Sequence, residues 1–154
     1  MINSLDLIES VASHAMASGH FAKVNQYEPK SAPDSDLTAS VWAARIGPAP
    51  SHSGLAATTA YVVLNVRLYT NMLADPQDMI DPKLMQATDE LMAAYSSDFT
   101  LDGLVRNIDL LGMGGETLSA EAGYVQIGGV DGGMFRVMTI TLPMIIDEAW
   151  EHRP

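Results

Sequence analysis

The four histidines are the side chains best suited to metal binding or proton transfer, and their spacing does not predict a metal site. His14 and His20 are six residues apart, and the second follows Gly19, which is expected to end the first helix. Two histidine ligands on one helix face would need a separation of four residues. The sequence therefore predicts that both are polar surface positions.

A serine beside a histidine, Ser51-His52, is a nominal nucleophile next to a base. Neighbours along the chain rarely adopt the geometry of a catalytic triad, so a solvated loop is the favoured interpretation. The sequence has no Gly-x-Ser-x-Gly elbow and no His-Glu-x-x-His motif. It also has no cysteine, which excludes disulfides, thiolate metal sites and cysteine nucleophiles. We therefore expect no catalytic residue and no enzyme.

Acidic and glycine-rich segments are the other candidates in the sequence for ion or cofactor binding. Asp75, Asp78 and Asp81 follow one another at intervals of three, but a calcium loop needs ligands at alternate positions and a closing glutamate. The Asp-Pro pairs at 75–76 and 81–82 instead predict helix starts, with aspartate as the N-cap. The segment 112–117, GMGGET, lacks the lysine of a phosphate loop and predicts a turn. No metal and no cofactor is expected.

Composition predicts one folded domain over residues 1–154, since hydrophobic residues make up 47% and charged residues 18% of the chain. Eight basic against 19 acidic residues give a formal charge of −11. Such a field repels phosphate backbones and anionic lipid surfaces. The sequence has no apolar run long enough for a membrane span and no basic stretch of a signal peptide at its start. We expect a soluble protein without membrane contact.

Hydrophobic periodicity predicts an α+β fold: a mainly antiparallel sheet of about five or six strands, two main helices packed on it and a C-terminal β-hairpin. The predicted helices cover 3–18 and 82–95, and the predicted strands cover 21–27, 38–46, 59–72 and 104–111, followed by the hairpin within 117–150. Leu5, Ile8, Ala12, Ala15 and Met16 are expected on the buried face of the first helix. Pro143 is expected to end the last strand, because proline has no N–H for a sheet ladder.

The strand 59–72 predicts a candidate subunit contact. Its even-numbered residues from Ala60 to Leu68 are apolar and belong in the core, whereas the opposite face carries Tyr61, Arg67 and Tyr69. Aromatic residues with an arginine are typical of a partly buried protein contact. A plain solvated sheet face is the alternative. Because a guanidinium pairs well with carboxylates, we expect at least one of Arg67, Arg106 and Arg136 to meet an acidic residue of a neighbouring subunit or partner.

Two loops are further candidates for contact with neighbours. The segments 47–58 and 128–133 are long for hairpin connections, low in charge and rich in glycine or proline. Idle surface loops are the alternative. The candidate contact residues outside the strands are Pro50, His52, Gly54, Gly129, Asp131, Gly132 and, near the C-terminus, Trp150.

The run FRVMTITLPMIIDEAW, preceded by AGYVQIGG and VRNIDLLG, resembles the C-terminal part of the tail terminator proteins of long-tailed bacteriophages. The resemblance extends over the whole chain and includes the segment TTAYVVLNVRLYTNML. It implies a homo-oligomeric ring, usually a hexamer, at the head-proximal end of the phage tail. One face of the ring would cover the tail tube protein, and the other would meet the head-side stopper or connector.

The resemblance also implies that the protein is assembled in the host cytoplasm and resides in the virion, where double-stranded DNA passes through the ring without specific binding. An acidic lining would repel that DNA, so we expect a net acidic lumen. Two alternatives remain open. One is another head–tail joining or tail-completion protein. The other, from a different class, is a small-molecule-binding or hydrolytic α/β domain.

Overall fold

The fold is the predicted α+β type: a six-stranded, mostly antiparallel sheet with two helices. The computed structural model describes residues 1–30, 36–72, 76–128 and 133–153. In chain order the elements are α1 (Ser4–Ser18), β1 (Lys23–Asn25), β2 (Thr38–Pro48), β3 (Ala57–Asn71), α2 (Ile80–Ser97), β4 (Asn107–Ile108), β5 (Ser119–Gln126) and β6 (Met134–Glu151). Short 3-10 turns occupy Pro50–His52 and Gln77–Met79.

The sheet has the order β1-β2-β3-β6, and the far side of β6 pairs with β5 along its first half and with β4 further on. Only the pairing of β1 with β2 is parallel. The strands β2, β3, β6 and β5 therefore lie side by side in alternating directions.

The prediction that Pro143 ends the last strand is wrong, because β6 continues to Glu151. Pro143 lies opposite Val63 of β3, and its carbonyl accepts a hydrogen bond from the Asp109 amide on the other side. The N and C=O groups of a strand residue point to the same side, so the missing N–H also faces away from β3. There β6 changes partners, from Ser119 opposite Thr141 to Ile108 opposite Met144. The proline falls in the gap between two partner strands and breaks no ladder bond.

The two faces of the sheet are covered differently. One face packs against both helices and forms the main core, where Val62, Leu64 and Val66 of β3 meet Val11 of α1 and Leu91 of α2. The opposite face carries two smaller clusters of buried hydrophobic residues: Ala49, Tyr61, Val63 and Ile145, and Tyr69, Phe135 and Val137. We call this second side of the sheet the open face, since no helix of the described residues covers it.

α1 ends at Gly19 as predicted, with a left-handed φ of 76° that glycine tolerates. Its predicted buried face is confirmed at Ala12 and Ala15, and Ile8 packs against the core, but the prediction is wrong at Leu5 and Met16. Leu7 and Val11 are buried, whereas Leu5 is 79% and Met16 is 54% exposed. Both stripes have helical spacing, so periodicity alone could not select between them. Contact with the sheet and with Tyr95 of α2, whose hydroxyl donates to the Val11 carbonyl, selects the observed face.

α2 starts at Ile80, and the predicted N-cap role of Asp81 is wrong. Asp81 lies within the first turn and accepts a hydrogen bond from Arg136 of β6. Asp75, the other predicted cap, lies outside the described residues. Helical spacing predicts a buried stripe of Leu84, Thr88, Leu91, Met92 and Tyr95. The stripe is confirmed except at Met92, which is only half-buried.

The predicted strand 104–111 is reduced to the two residues of β4. Three consecutive residues before it, Leu101, Asp102 and Gly103, have positive φ values of 48°, 55° and 87°. This left-handed stretch turns the chain sharply and delays its entry into the sheet. Within the described chain, neither helix is both long and apolar enough to cross a membrane.

Candidate functional site

The centre of the open face holds polar and aromatic side chains around one arginine. Arg67 donates from Nε to Thr139 Oγ1 at 2.8 Å, and its guanidinium lies 5.3 Å from the centre of the Trp42 ring. Among the described residues no carboxylate lies within ion-pair distance of Arg67. The guanidinium also hydrogen-bonds with the Tyr69 side chain. A contact between Arg67 and a carboxylate of a neighbouring subunit stays a prediction.

The other two predicted contact arginines pair within the chain. Arg106 Nη1 lies 3.0 Å from Asp147 Oδ1, and both side chains are about half exposed. Arg136 Nε lies 3.0 Å from Asp81 Oδ1, and its guanidinium stacks 4.4 Å from the Tyr124 ring centre. For these two residues the observed contacts are therefore within the chain.

Tyr61 and Tyr69 do not fit the expected role of surface contacts, because each is only 1% exposed. Tyr69 packs edge-on against Phe135, with ring centres 6.5 Å apart. Tyr61 is enclosed by its own chain, because its hydroxyl hydrogen-bonds with Asp109 and Glu116. Tyr61, Tyr69 and Phe135 close small internal clusters, whereas Trp42 and Arg67 remain partly exposed on this face.

Asp109 organises the turn that covers Tyr61, and the sequence did not single it out. Its carboxylate is in a residue only 2% exposed and accepts hydrogen bonds from the Tyr61 hydroxyl at 2.7 Å, the Gly114 amide at 2.7 Å and the Met113 amide at 2.8 Å. The Tyr61 hydroxyl also reaches the Glu116 carbonyl at 2.8 Å. The predicted turn 112–117 is confirmed. One end is fastened to the nearby Asp109 and the other, at Glu116, to Tyr61 of β3.

Burial and hydrogen bonding shift the acidity of both partners. Burial, and then the hydrogen bond to Asp109, raise the pKa of Tyr61 to about 12. Burial by itself would raise the pKa of Asp109, but the hydrogen bonds from Tyr61 and the turn amides outweigh burial and hold that pKa below its usual value. The carboxylate stays ionised and the phenol stays neutral at neutral pH, so the pair acts as a structural clamp.

The connection between β2 and β3 is shorter than the predicted loop 47–58, and hydrogen bonds hold it in place. β2 extends to Pro48 and β3 begins at Ala57, and the Ser53 hydroxyl bridges the two by donating to the Ala49 carbonyl and accepting from the Thr59 amide. Pro50 and His52 lie in the 3-10 turn, and Gly54 follows it. They are exposed or half-buried and remain candidates for contact with a neighbour.

Ser51 Oγ lies 3.1 Å from His52 Nδ1, an exposed contact between chain neighbours. Among the described residues, no hydrogen bond joins this histidine to a carboxylate that could orient it. The pair thus lacks the third member of a triad in the described chain. His14 and His20, expected as polar surface positions, are partly exposed. His14 joins α1 to Asp98 at 2.9 Å, and His20 joins the end of α1 to Glu90 of α2.

Of the other predicted contact positions, Trp150 is half-buried and packs against the main core from the end of β6. Gly129, Asp131 and Gly132 lie outside the described residues. In the part of the chain that the structure describes, no group of three histidine, aspartate or glutamate side chains is placed to hold a metal ion.

Two stretches of sheet edge lack a partner strand within the described residues. β1 pairs only with the first three residues of β2, so 41–48 have a strand on the β3 side alone. β5 is paired with β6 and has no strand on its other side. Unpaired edges expose rows of N–H and C=O groups that can pair with another chain.

Charge is distributed unequally between the two sides of the sheet. The helices and the turns beside them carry the acidic residues Asp6, Glu9, Asp78, Asp81, Asp89, Glu90, Asp98 and Asp102. On the open face, the strand registers place Arg45, Arg67 and Glu121. Glu28 and Glu116 lie near Tyr69 and Tyr61 of the same face. Many acidic residues thus lie on the helical side, while the strands of the open face carry both signs of charge.

No protein-family model and no curated protein matches this sequence.

Proposed function

We propose that this protein is a subunit of a homo-oligomeric ring, the terminator that caps the head-proximal end of a phage tail tube. The resemblance of the β4 to β6 region to tail terminators carries the proposal. Those residues form the central strand of the sheet and one of its two unpaired edges, which is where a ring subunit would need contact surface.

The proposed mechanism is mechanical. The ring covers the last ring of the tail tube protein with one face and stops further polymerisation, and its other face receives the head-side stopper or connector. Such a role requires shape, exposed backbone edges and a stable sheet rather than a reacting group. A rigid scaffold is supplied by β6, whose 18 residues pair with three other strands.

The expected acidic lumen depends on which side of the sheet lines the channel. Because the helices and their turns carry eight acidic residues, we expect the helical side to line the channel if the lumen is to repel DNA. A lumen lined by the open face would instead present Arg45 and Arg67. We expect no measurable binding to duplex DNA at physiological salt, measured by fluorescence anisotropy. Salt-dependent binding, or a ring image with the open face inward, would contradict the expectation of an acidic lumen that repels DNA.

The test combines particle mass with tube capping. Purified protein is measured by mass photometry and negative-stain microscopy, then added to polymerising tail tubes. We expect closed rings and tubes with added density at one end, shorter than tubes grown without the protein. Binding to heads but not to tube ends would favour another head–tail joining protein. A monomer that binds neither tube ends nor heads would refute the ring proposal and favour the small-molecule-binding alternative.

A further inference from the structure

The outward backbone groups on both free edges can be assigned from the hydrogen bonds on their inner sides. The Ala49 amide bonds to the Thr59 carbonyl, so after the bulge at Ala44 the odd-numbered residues of β2 bond to β3. Alternation then directs the backbone groups of Ile46 to the free side. Likewise the Ile127 amide bonds to the Gly133 carbonyl, which directs those of Ala122 away from β6.

Strand direction makes the two edges complementary in a head-to-tail arrangement. β2 and β5 are the outer members of the alternating set β2-β3-β6-β5 and run in opposite directions. A second copy placed beside the first by rotation about a ring axis keeps the same strand directions. Its β2 then lies antiparallel to β5 of the first copy, and the alternation continues across the contact.

The charges on the edges also favour a second copy. In a chain of net charge −11, residues 41–48 carry only Arg45 and the strand β5 carries only Glu121. Arg45 lies opposite Val63, and Glu121 lies opposite Thr139, which itself lies opposite Arg67. Paired residues share a face, so both charges belong to the open face. In a sheet continued between copies, opposite charges would meet where two acidic proteins must approach.

We propose that β5 of one subunit pairs with the free segment 41–48 of β2 in the next, joining the sheets of successive subunits. The contact is heterologous, so it closes into a ring when the rotation is suitable. This inference deepens the proposed function by naming the subunit contact of that ring. The partner is a second copy of this chain, recognised by backbone hydrogen bonds and by the Arg45–Glu121 pair.

The bulge at Ala44 and Pro48 are features that also protect edges from unwanted pairing. Under that interpretation both edges would stay solvated in every assembly. The two interpretations differ in one measurable respect, since only the proposed contact requires both edges at once.

Proline substitution removes one outward N–H without removing an inward ladder bond. Ile46→Pro blocks the β2 edge, and Ala122→Pro blocks the β5 edge. The matched controls Ile46→Thr and Ala122→Thr retain the N–H and suit a strand. We expect both threonine variants to form rings, and each proline variant alone to remain at the 16.5 kDa subunit mass. Circular dichroism of each variant checks the monomer fold.

Mixing the two proline variants is the decisive experiment. Ile46→Pro retains a free β5 and Ala122→Pro retains a free β2, so the mixture should form a particle of twice the subunit mass that cannot grow. Rings from either proline variant alone would overturn the proposal. So would a mixture that stays monomeric at concentrations where the unmodified chain forms rings.

Cysteine cross-linking tests the contact without proline and keeps the test valid if a proline variant fails to fold. The chain has no cysteine, so Ile46→Cys and Ala122→Cys give an unambiguous background. A short bismaleimide should join the two variants in a mixture far more than either alone. Capped tubes without this cross-link would refute the edge contact and retain the proposed function. The cross-link without capping would refute the function and retain the contact.

Discussion

Replacing Asp109 by asparagine should destabilise the fold although the two side chains have nearly the same shape. One carboxylate oxygen accepts from the Met113 amide, and the other accepts from the Gly114 amide and the Tyr61 hydroxyl. An asparagine side chain offers one oxygen and one NH2 group. In either orientation the NH2 faces a backbone N–H, so one buried donor loses its acceptor.

Such a loss costs about 1–3 kcal/mol, and more when the lost acceptor was charged. For a chain of this size, that lowers the melting temperature by about 2–4 °C per kcal/mol. Tyr61→Phe removes only the hydroxyl from the same network. We expect the two substitutions to be coupled by about 1–2 kcal/mol, since the residues share a hydrogen bond in a buried site.

Urea unfolding at pH 7 of the unmodified chain, both single variants and the double variant measures the coupling. The pH dependence gives a second readout. The pKa of Asp109 is lowered in the folded state, so its contribution to the free energy of unfolding is present above the ordinary carboxyl pKa and is lost as pH falls through the folded value. The difference between the chain and Asp109→Asn should therefore shrink in acid. A difference below about 0.5 kcal/mol at pH 7, within the range of ordinary surface substitutions, would refute the clamp.

Three further predictions concern Tyr61, the turn and the open face. A Cβ on Gly114 would lie 2.4 Å from Tyr61 Cε2, so Gly114→Ala should destabilise the fold by about 1–3 kcal/mol in urea unfolding. Gly54→Ala is the control, because a Cβ there meets nothing within 4 Å and should leave urea unfolding nearly unchanged. Because burial raises the pKa of Tyr61 to about 12, the contribution of its neutral hydroxyl to the free energy of unfolding should be present below pH 10 and lost between about pH 10 and 12. Tyr61→Phe should therefore lose less stability at alkaline pH in urea titrations. Arg67→Met should impair ring assembly in mass photometry while Arg106→Met, which disrupts an exposed intrachain pair, should not; equal behaviour of the two would remove Arg67 from the contact surface.

Several elements could be predicted from the sequence because their determinants are local. The alternation in β3 places Val62, Leu64 and Val66 in the core, and a strand can bury such a pattern in only one way. Gly19 ends α1 because glycine adopts the left-handed conformation at little cost. The turn 112–117 follows from its cluster of glycines in the same way. In each case the decisive residues are a few positions apart.

Other features were decided only by the tertiary structure. Either apolar stripe of α1 could face the core, and the position of the sheet selected Leu7 and Val11 over Leu5. Pro143 fits within β6 because β5 and β4 pair on either side of it, which its own neighbours in sequence do not reveal. Asp109 is bound to a tyrosine 48 residues away, so its role depends on strand order. The free edges depend on it too, since a strand is an edge only when the rest of the chain leaves one side unpaired.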